Sequence, residues 1–136
     1  MDEVVDHRAR VSGFLERFAR ERNLALPAMT VDGVGFIQRG SAVVSIHVLL
    51  DKHVLLVLAK VAGAPVLDAV RAKRLLALSF VETGDAAFAL HPQTGDLYLR
   101  ILRGLDGLDY EEFEDAVHSI AQTADHWDDK LATELA

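Results

Sequence analysis

The sequence predicts an α+β fold, in which a single antiparallel sheet of five strands carries three helices in the order α-β-β-β-α-β-β-α. Apolar residues recur at spacings of three and four in the first, middle and last segments, which is typical of amphipathic helices. Five shorter apolar runs lie between them, and the short connections within each group of strands favour antiparallel pairing. With 136 residues, of which 51% are hydrophobic, we expect one domain over residues 1–136.

The first half of the chain is predicted to form a helix and three strands. The helix is expected over Asp2–Arg22, and the strands over Val34–Gln38, Ala42–Leu50 and Val54–Val61. The helix has one apolar stripe, formed by Val4, Val11, Phe14, Leu15 and Phe18. The second strand alternates, with Val44, Ile46 and Val48 on one face. The third is apolar on both faces, so we expect it to be central and covered on both sides.

The second half is predicted to form a helix, a hairpin and a final helix. We expect the middle helix over Ala64–Val81, the hairpin strands at Ala86–His91 and Leu97–Arg103, and the last helix over Asp109–Leu135. Gly95 suits the positive φ of the hairpin turn. The middle helix is apolar around most of its surface, which indicates burial on most sides and favours a dimer. Its apolar residues are Leu67, Val70, Leu75, Leu76, Leu78, Phe80 and Val81.

Composition and charge exclude several functional classes. The chain has no cysteine, so it forms no disulfide and no thiolate site. Its net charge is −7, and residues 104–136 hold ten acidic residues against one lysine, which disfavours nucleic acid as a partner. No apolar stretch approaches the ~20 residues that span a bilayer, and the charged N-terminus does not resemble a signal peptide. We therefore expect a cytoplasmic protein with no membrane partner.

Two patterns suggest ligand sites but have simpler structural explanations. The glycines of "DGVGFIQRG" lack the spacing and the following helix of a dinucleotide-binding loop, so they are interpreted as turn glycines. His126 and Asp129 lie three residues apart on the last helix and could share a metal ion. That spacing is common on helix surfaces, so we expect neither a metal site nor a cofactor.

The sequence offers little support for an enzyme. It contains no cysteine nucleophile and no Gly-x-Ser-x-Gly motif. Ser45 and His47 are expected on the same face of the second strand and form the best candidate pair of nucleophile and base. Because no third group is expected to orient the histidine, we predict a non-enzymatic protein.

The acidic start of the last helix is explained by helix capping. Asp109 is predicted to be the N-cap, and Glu112 stands where a capping box would reach back. Glu111, Glu114 and Asp115 favour the positive end of the helix dipole and are expected to face water. An acidic face that selects a basic partner is the alternative interpretation.

Three segments carry a resemblance to a known family. They are "VDGVGFIQRGSAVVSIHVLLDKHVLLVLAKVAGAP", "LLALSFV", and "GDAAFALHPQTGDLYLRILRGLDGLDYEEFEDAV" followed by "TADHWDDKL". They contain, in this order, a strand that starts with glycine, two longer strands, a helix, a hairpin and a helix that ends near a Trp. This order of elements resembles that of the type III secretion chaperones of the Tir-chaperone (CesT-type) family. It also resembles the related YbjN-like domains. The match extends from the first helix to Leu131, and Ser79 departs from the Asn that many relatives have near the end of the middle helix.

The resemblance implies a homodimer that binds an extended or unfolded segment of a client polypeptide, without nucleotide or cofactor. We predict dimerisation through the middle helix, at Leu67, Val70, Leu75 and Leu78. We predict client contacts where the first helix meets the first strands, at Phe14, Phe18, Phe36, Ile46 and Val48. These residues could instead belong to the core, and a YbjN-like regulatory or protein-interaction domain without a secretion client is the alternative function.

Overall fold

The computed structural model describes residues 6–25 and 28–135. In this part of the chain, the elements follow the predicted order. They are α1 (His7–Glu21), β1 (Val34–Arg39), β2 (Ala42–Leu49), β3 (Val54–Ala62), α2 (Ala69–Leu78), β4 (Ala87–Leu90), β5 (Leu97–Gly104) and α3 (Tyr110–Glu134), with a short 3-10 turn at Leu50–Lys52. The predicted fold class is therefore confirmed.

The five strands form one antiparallel sheet in the order β1-β2-β3-β5-β4. The predicted central position of β3 is confirmed, since it pairs with β2 on one side and with β5 on the other. The turn between β4 and β5 places Gly95 at φ 73°, as predicted, and its N–H donates to the carbonyl of His91 at 2.9 Å. β1 and β4 are the two edge strands.

The main core lies between one face of the sheet and the helices α1 and α3. Alternate residues of the strands point into it, among them Ile37, Val44, Ile46, Leu55, Val57 and Leu99, all fully buried. Phe18 of α1 and Phe113 of α3 meet edge to face at 6.3 Å within it. α1 approaches β1 closely at Gly35, where an added Cβ would lie 2.6 Å from Leu15 Cδ1.

A second apolar cluster joins α2 to the C-terminal half of α3. It contains Leu75, Leu78, Leu97, Trp127 and Leu131, all buried. One side of α2 is thus covered within the chain, whereas the other side faces solvent. Among the described residues, none of the helices combines the length and the apolar character needed to cross a bilayer.

The bounds of α2 differ from the prediction. α2 begins at Ala69 and not at Ala64, because the carboxylate of Asp68 accepts the N–H of Arg71 at 2.8 Å and caps the helix there. Ala64 has a positive φ of 35°, and its N–H donates to Asp96 at 2.9 Å, which holds this residue in a loop. α1 is capped by Asp6, and the part of its predicted range before Asp6 lies outside the described residues.

A further expectation concerns the two faces of β3. The apolar character of β3 predicted that both faces would be covered, but helices pack on only one of them, and Leu56 and Leu58 on the other face remain half-buried. Cover of this second face by another subunit therefore stays a prediction. The apolar side chains there are available to another molecule.

Candidate functional site

The face of the sheet away from α1 and α3 carries an apolar surface, which we call the open face. It is formed by Phe36, Val43, Ser45, His47, Leu56, Leu58, Tyr98, Arg100 and Leu102. The strand register makes it continuous, because Phe36 lies opposite Ser45, Ser45 lies opposite Leu58, and Leu58 lies opposite Arg100. A single chain therefore leaves large apolar side chains on the solvent side of its central strands.

The outer side of α2 and the turn after it form a second exposed apolar surface, the α2 patch. It consists of Val70, Leu76, Phe80 and Val81. Phe80 is 91% exposed and Val70 is 76% exposed, which is unusual for side chains of this size. The predicted all-round apolar character of α2 is thus divided between a buried inner face and an exposed outer face.

Two grooves connect these surfaces around the edge strand β4. The first has a volume of about 260 Å³ and lies between α2 and β4, with Leu76, Phe88 and Leu90 in its wall. The second, of about 370 Å³, lies on the open face and is lined by residues that include Leu56, Leu58 and Leu90. Because Leu90 lines both grooves, the apolar surface continues from α2 around β4 onto the open face.

Backbone hydrogen-bonding groups point outward along the edge of β1. The N–H of Val34 donates to Thr30 Oγ1 at 3.1 Å, and its carbonyl accepts the N–H of Thr30 at 2.9 Å, so these groups point away from β2. Backbone groups alternate along a strand, and those of Phe36 and Gln38 therefore point outward as well. Phe36, 47% exposed, lies beside this edge. The edge can accept an added strand.

The edge of β4 is partly closed by α2. The hydroxyl of Ser79 accepts the N–H of Phe88 at 3.0 Å and donates to the carbonyl of Leu75 at 2.8 Å. One outward amide of this four-residue strand is therefore satisfied within the chain. β1 is longer and is the more accessible of the two edges.

The predicted pair of Ser45 and His47 is brought together on the open face, where His47 Nε2 lies 2.9 Å from Ser45 Oγ. Burial lowers the pKa of His47, which keeps the imidazole neutral over a wider pH range. In the part of the chain that the structure describes, no carboxylate contacts this imidazole. The pair thus lacks the orienting acid of a catalytic triad.

Two acidic residues at the start of α3 have structural roles, one as a helix cap and one as a contact with the end of α1. Asp109 caps α3, as predicted, by accepting the N–H of Glu112 at 2.8 Å. Glu114 is half-buried, contrary to the expectation that it faces water, because Arg22 of α1 donates to it at 2.9 Å. The Tyr110 hydroxyl donates to Glu21 at 3.0 Å, and hydrogen bonds from Arg17 and from Tyr110 lower the pKa of Glu21.

Comparison with known proteins identifies the family. The profile of the Tir chaperone protein (CesT) family matches residues 13–128, which includes most of α1, all five strands and most of α3. The chain belongs to the CesT family. No curated protein matches the sequence significantly.

Solved structures share the fold of this CesT-family chain. A chain of the ExsC–ExsE complex is 22% identical and has a TM-score of 0.75, with 91% of this chain and 95% of that chain covered. A chain of the HopA1–SchA chaperone–effector complex is 12% identical, with a TM-score of 0.72 and coverage of 93% and 99%. A chain of the ExoU–SpcU complex from the type III secretion system of Pseudomonas aeruginosa is 17% identical, with a TM-score of 0.61 and coverage of 91% and 96%. At these sequence identities, the similarity shows that the fold is shared and nothing more.

The residues predicted to contact a client fall into two groups in this CesT-family chain. Phe36 is exposed beside the β1 edge, whereas Phe18, Ile46 and Val48 are buried in the main core. Phe14 is half-buried, with its ring 5.7 Å from that of Phe113. Alternation along β2 was recognised from the sequence, but its apolar side faces the helices.

The residues predicted for the dimer interface are divided in the same way. Val70 belongs to the exposed α2 patch, and Leu67 lines the groove beside β4. Leu75 and Leu78 pack against the second apolar cluster and are 5% exposed each. The apolar residues on both sides of β3 indicated from the sequence that the second face of this strand needs a cover, and a second subunit as that cover stays a prediction.

Proposed function

We propose that this CesT-family chain is a homodimeric, non-enzymatic chaperone that holds an extended segment of a client polypeptide in the cytoplasm, with residues 1–136 acting as one domain. The observation that carries the proposal is the continuous apolar surface from the α2 patch to the open face. Soluble monomers rarely expose contiguous apolar patches larger than a few hundred Å². A second protein surface is the expected cover for such a patch.

A second copy of the chain is the proposed cover for the α2 patch and for the open face from β2 to β5, whereas Phe36 at the β1 edge is left to the client. In a twofold dimer the same patch is used by both subunits, so an apolar surface meets an apolar surface. The residues that form the open face include one charged side chain, Arg100, and Lys60 lies at its border opposite Tyr98, so most of this face has the apolar character typical of stable homodimer interfaces. In this arrangement Val70 and Leu67 contact the partner, while Leu75 and Leu78 support α2 from behind.

The β1 edge is the proposed binding site for the client. An extended segment added beside β1 would bond to the outward backbone groups of Phe36 and Gln38, which gives affinity without a fixed client sequence. The exposed ring of Phe36 would supply an apolar contact next to these bonds. Two of the similar folds were solved as the HopA1–SchA chaperone–effector complex and the ExoU–SpcU complex, which supports a polypeptide client here.

Replacement of Gln38 by proline tests the client site. Proline removes the outward N–H of residue 38 and obstructs an added strand, and an edge position tolerates it because the lost N–H is not used in pairing with β2. The tagged chain is used to capture polypeptides from lysate of the native cell, and these are identified by mass spectrometry. We expect Gln38→Pro to lose the polypeptide that the wild-type chain retains, whereas the matched control Gln38→Ala keeps it.

Two results would contradict the client proposal. One is capture of the same polypeptide by Gln38→Pro with unchanged affinity, when circular dichroism shows that the variant is folded. The other is the absence of any polypeptide enriched specifically by the wild-type chain. A YbjN-like domain would bind its folded partner equally well with glutamine or with proline at position 38.

A further inference from the structure

Three potential metal ligands from distant parts of the sequence meet where α1 begins. His7 is the first residue of α1, His53 ends the turn between β2 and β3, and Asp106 lies in the loop between β5 and α3. One ligand atom of each residue lies within 4.8 Å of those of the other two. His7 Nε2 and Asp106 Oδ1 are 3.7 Å apart.

The backbone of the chain holds these residues in place. The N–H of Leu105, next to Asp106, donates to the carbonyl of His53 at 3.0 Å and so fixes the two loops relative to each other. The guanidinium of Arg10, one turn after His7, donates to the carbonyl of Leu108 and ties α1 to the same loop. A site built on positions that are already fixed needs only side-chain rotations to bind an ion.

We propose that His7, His53 and Asp106 form a three-ligand site for Zn²⁺, with water as the fourth ligand. Imidazole nitrogen and carboxylate oxygen bind Zn²⁺ at about 2.0–2.2 Å, and in a tetrahedral site such atoms lie roughly 3.4 Å apart. The distance from His7 to Asp106 is already close to this value. His53 and Asp106 are exposed, so the ion enters from solvent and the fourth position stays open to water.

The nature of the ligands selects the metal. Two imidazoles and one carboxylate suit Zn²⁺ and related transition metals, whereas Ca²⁺ and Mg²⁺ prefer sites made of oxygen atoms alone. A bound ion would clamp the start of α1 to both loops. Because it binds only the folded arrangement of three separate segments, it would raise the melting temperature.

Calorimetry tests the site with the tag-free, EDTA-treated chain and ZnCl₂ as the titrant. We expect one Zn²⁺ per chain, and a loss of at least about tenfold in affinity for His7→Ala and for His53→Asn. Asparagine is chosen at position 53 because it tolerates the φ of 54° found there. The matched control is His118→Ala, which removes an exposed histidine of α3 outside the cluster and is expected to bind like the wild type.

Spectroscopy and selectivity complete the test. Co²⁺ in place of Zn²⁺ is expected to give the intense visible bands of a tetrahedral site, which His7→Ala and His53→Asn lose, and CaCl₂ is expected to leave the melting temperature unchanged. The proposal is overturned if the wild-type chain does not bind Zn²⁺. It is equally overturned if the double variant His7→Ala/His53→Asn binds with wild-type affinity, or if His118→Ala loses as much affinity as the cluster variants.

Discussion

At the scale of single residues, Ser79 shows how one hydroxyl joins two elements. It donates to the carbonyl of Leu75 in α2 and accepts the N–H of Phe88 in β4. The ring of Phe88 packs edge to face on Trp127 at 5.7 Å, so the contact also positions a side chain of the second apolar cluster. Neither bond could be predicted from the sequence, because the two partners of the hydroxyl are fixed only when the chain turns between α2 and β4.

Replacing Ser79 by alanine is expected to lower the free energy of unfolding by about 1–2 kcal/mol, because the N–H of Phe88 loses its acceptor in a half-buried position. Urea unfolding at a fixed protein concentration measures the change. The matched control is Ser41→Ala, whose exposed hydroxyl has only a 3.4 Å contact with Asp125 and should change stability by less than about 0.5 kcal/mol. Equal losses in the two variants would contradict this role of Ser79.

His47 is expected to make stability depend on pH. Burial lowers its pKa in the folded chain, whereas in the unfolded chain the imidazole has its ordinary pKa, about 6.5. Below that value the unfolded chain takes up more protons than the folded chain, so this residue destabilises the fold as the pH falls from neutral towards the lowered pKa. We expect the loss of unfolding free energy between pH 7.5 and pH 5 to be smaller in His47→Gln than in the wild type. An identical pH dependence in both proteins would show that His47 does not contribute.

At the scale of elements, the sequence determined the order and type of the helices and strands but not all their ends. Periodicity identifies an element because it reflects which side is buried. The start of α2 was placed too early because Pro65 suits the first turn of a helix. Only the structure shows that the Asp68 carboxylate caps the helix while Ala64 bonds to Asp96 in a loop.

The candidate sites were less predictable than the fold. Alternation in β2 grouped Ile46 with Val48 but did not reveal that helices cover this side of the sheet, so two core residues were predicted as client contacts. The cluster of His7, His53 and Asp106 had no local signal, because its members are separated by about 50 residues each along the chain. Spacings within one helix, such as that of His126 and Asp129, are the only metal signal that can be read locally, and they predicted no metal site.

The N-cap of α3 was predictable, and it carries an element-scale prediction. The Asp109 carboxylate satisfies the N–H of Glu112, so Asp109→Ala is expected to lower the free energy of unfolding by about 1 kcal/mol. Asp128→Ala, an exposed change in the same helix away from its first turn, is the matched control and should have little effect. Thermal unfolding followed by circular dichroism makes the comparison. A cap variant as stable as the control would contradict the capping role.

At the scale of the whole molecule, helices cover one face of the sheet, and the other face keeps its apolar side chains exposed or half-buried. α1 and α3 cover the inner face and form the main core, while α2 packs beside them and exposes its outer side. Leu90 lies in both grooves and connects the α2 patch with the open face. Burial of this surface between two copies would stabilise a dimer by roughly 25 cal/mol for each Å² of apolar area removed from water, before the costs of association.

The mass of the chain in solution tests the central claim most directly. Light scattering at micromolar concentration is expected to give twice the 14.9 kDa of one chain for the wild type. The double variant Val70→Asp/Phe80→Asp, which places charges in the α2 patch, is expected to have the mass of one chain. The control Val31→Asp changes an equally exposed apolar residue outside the patch and should remain a dimer. A wild-type mass of 14.9 kDa under these conditions would contradict the proposed homodimer.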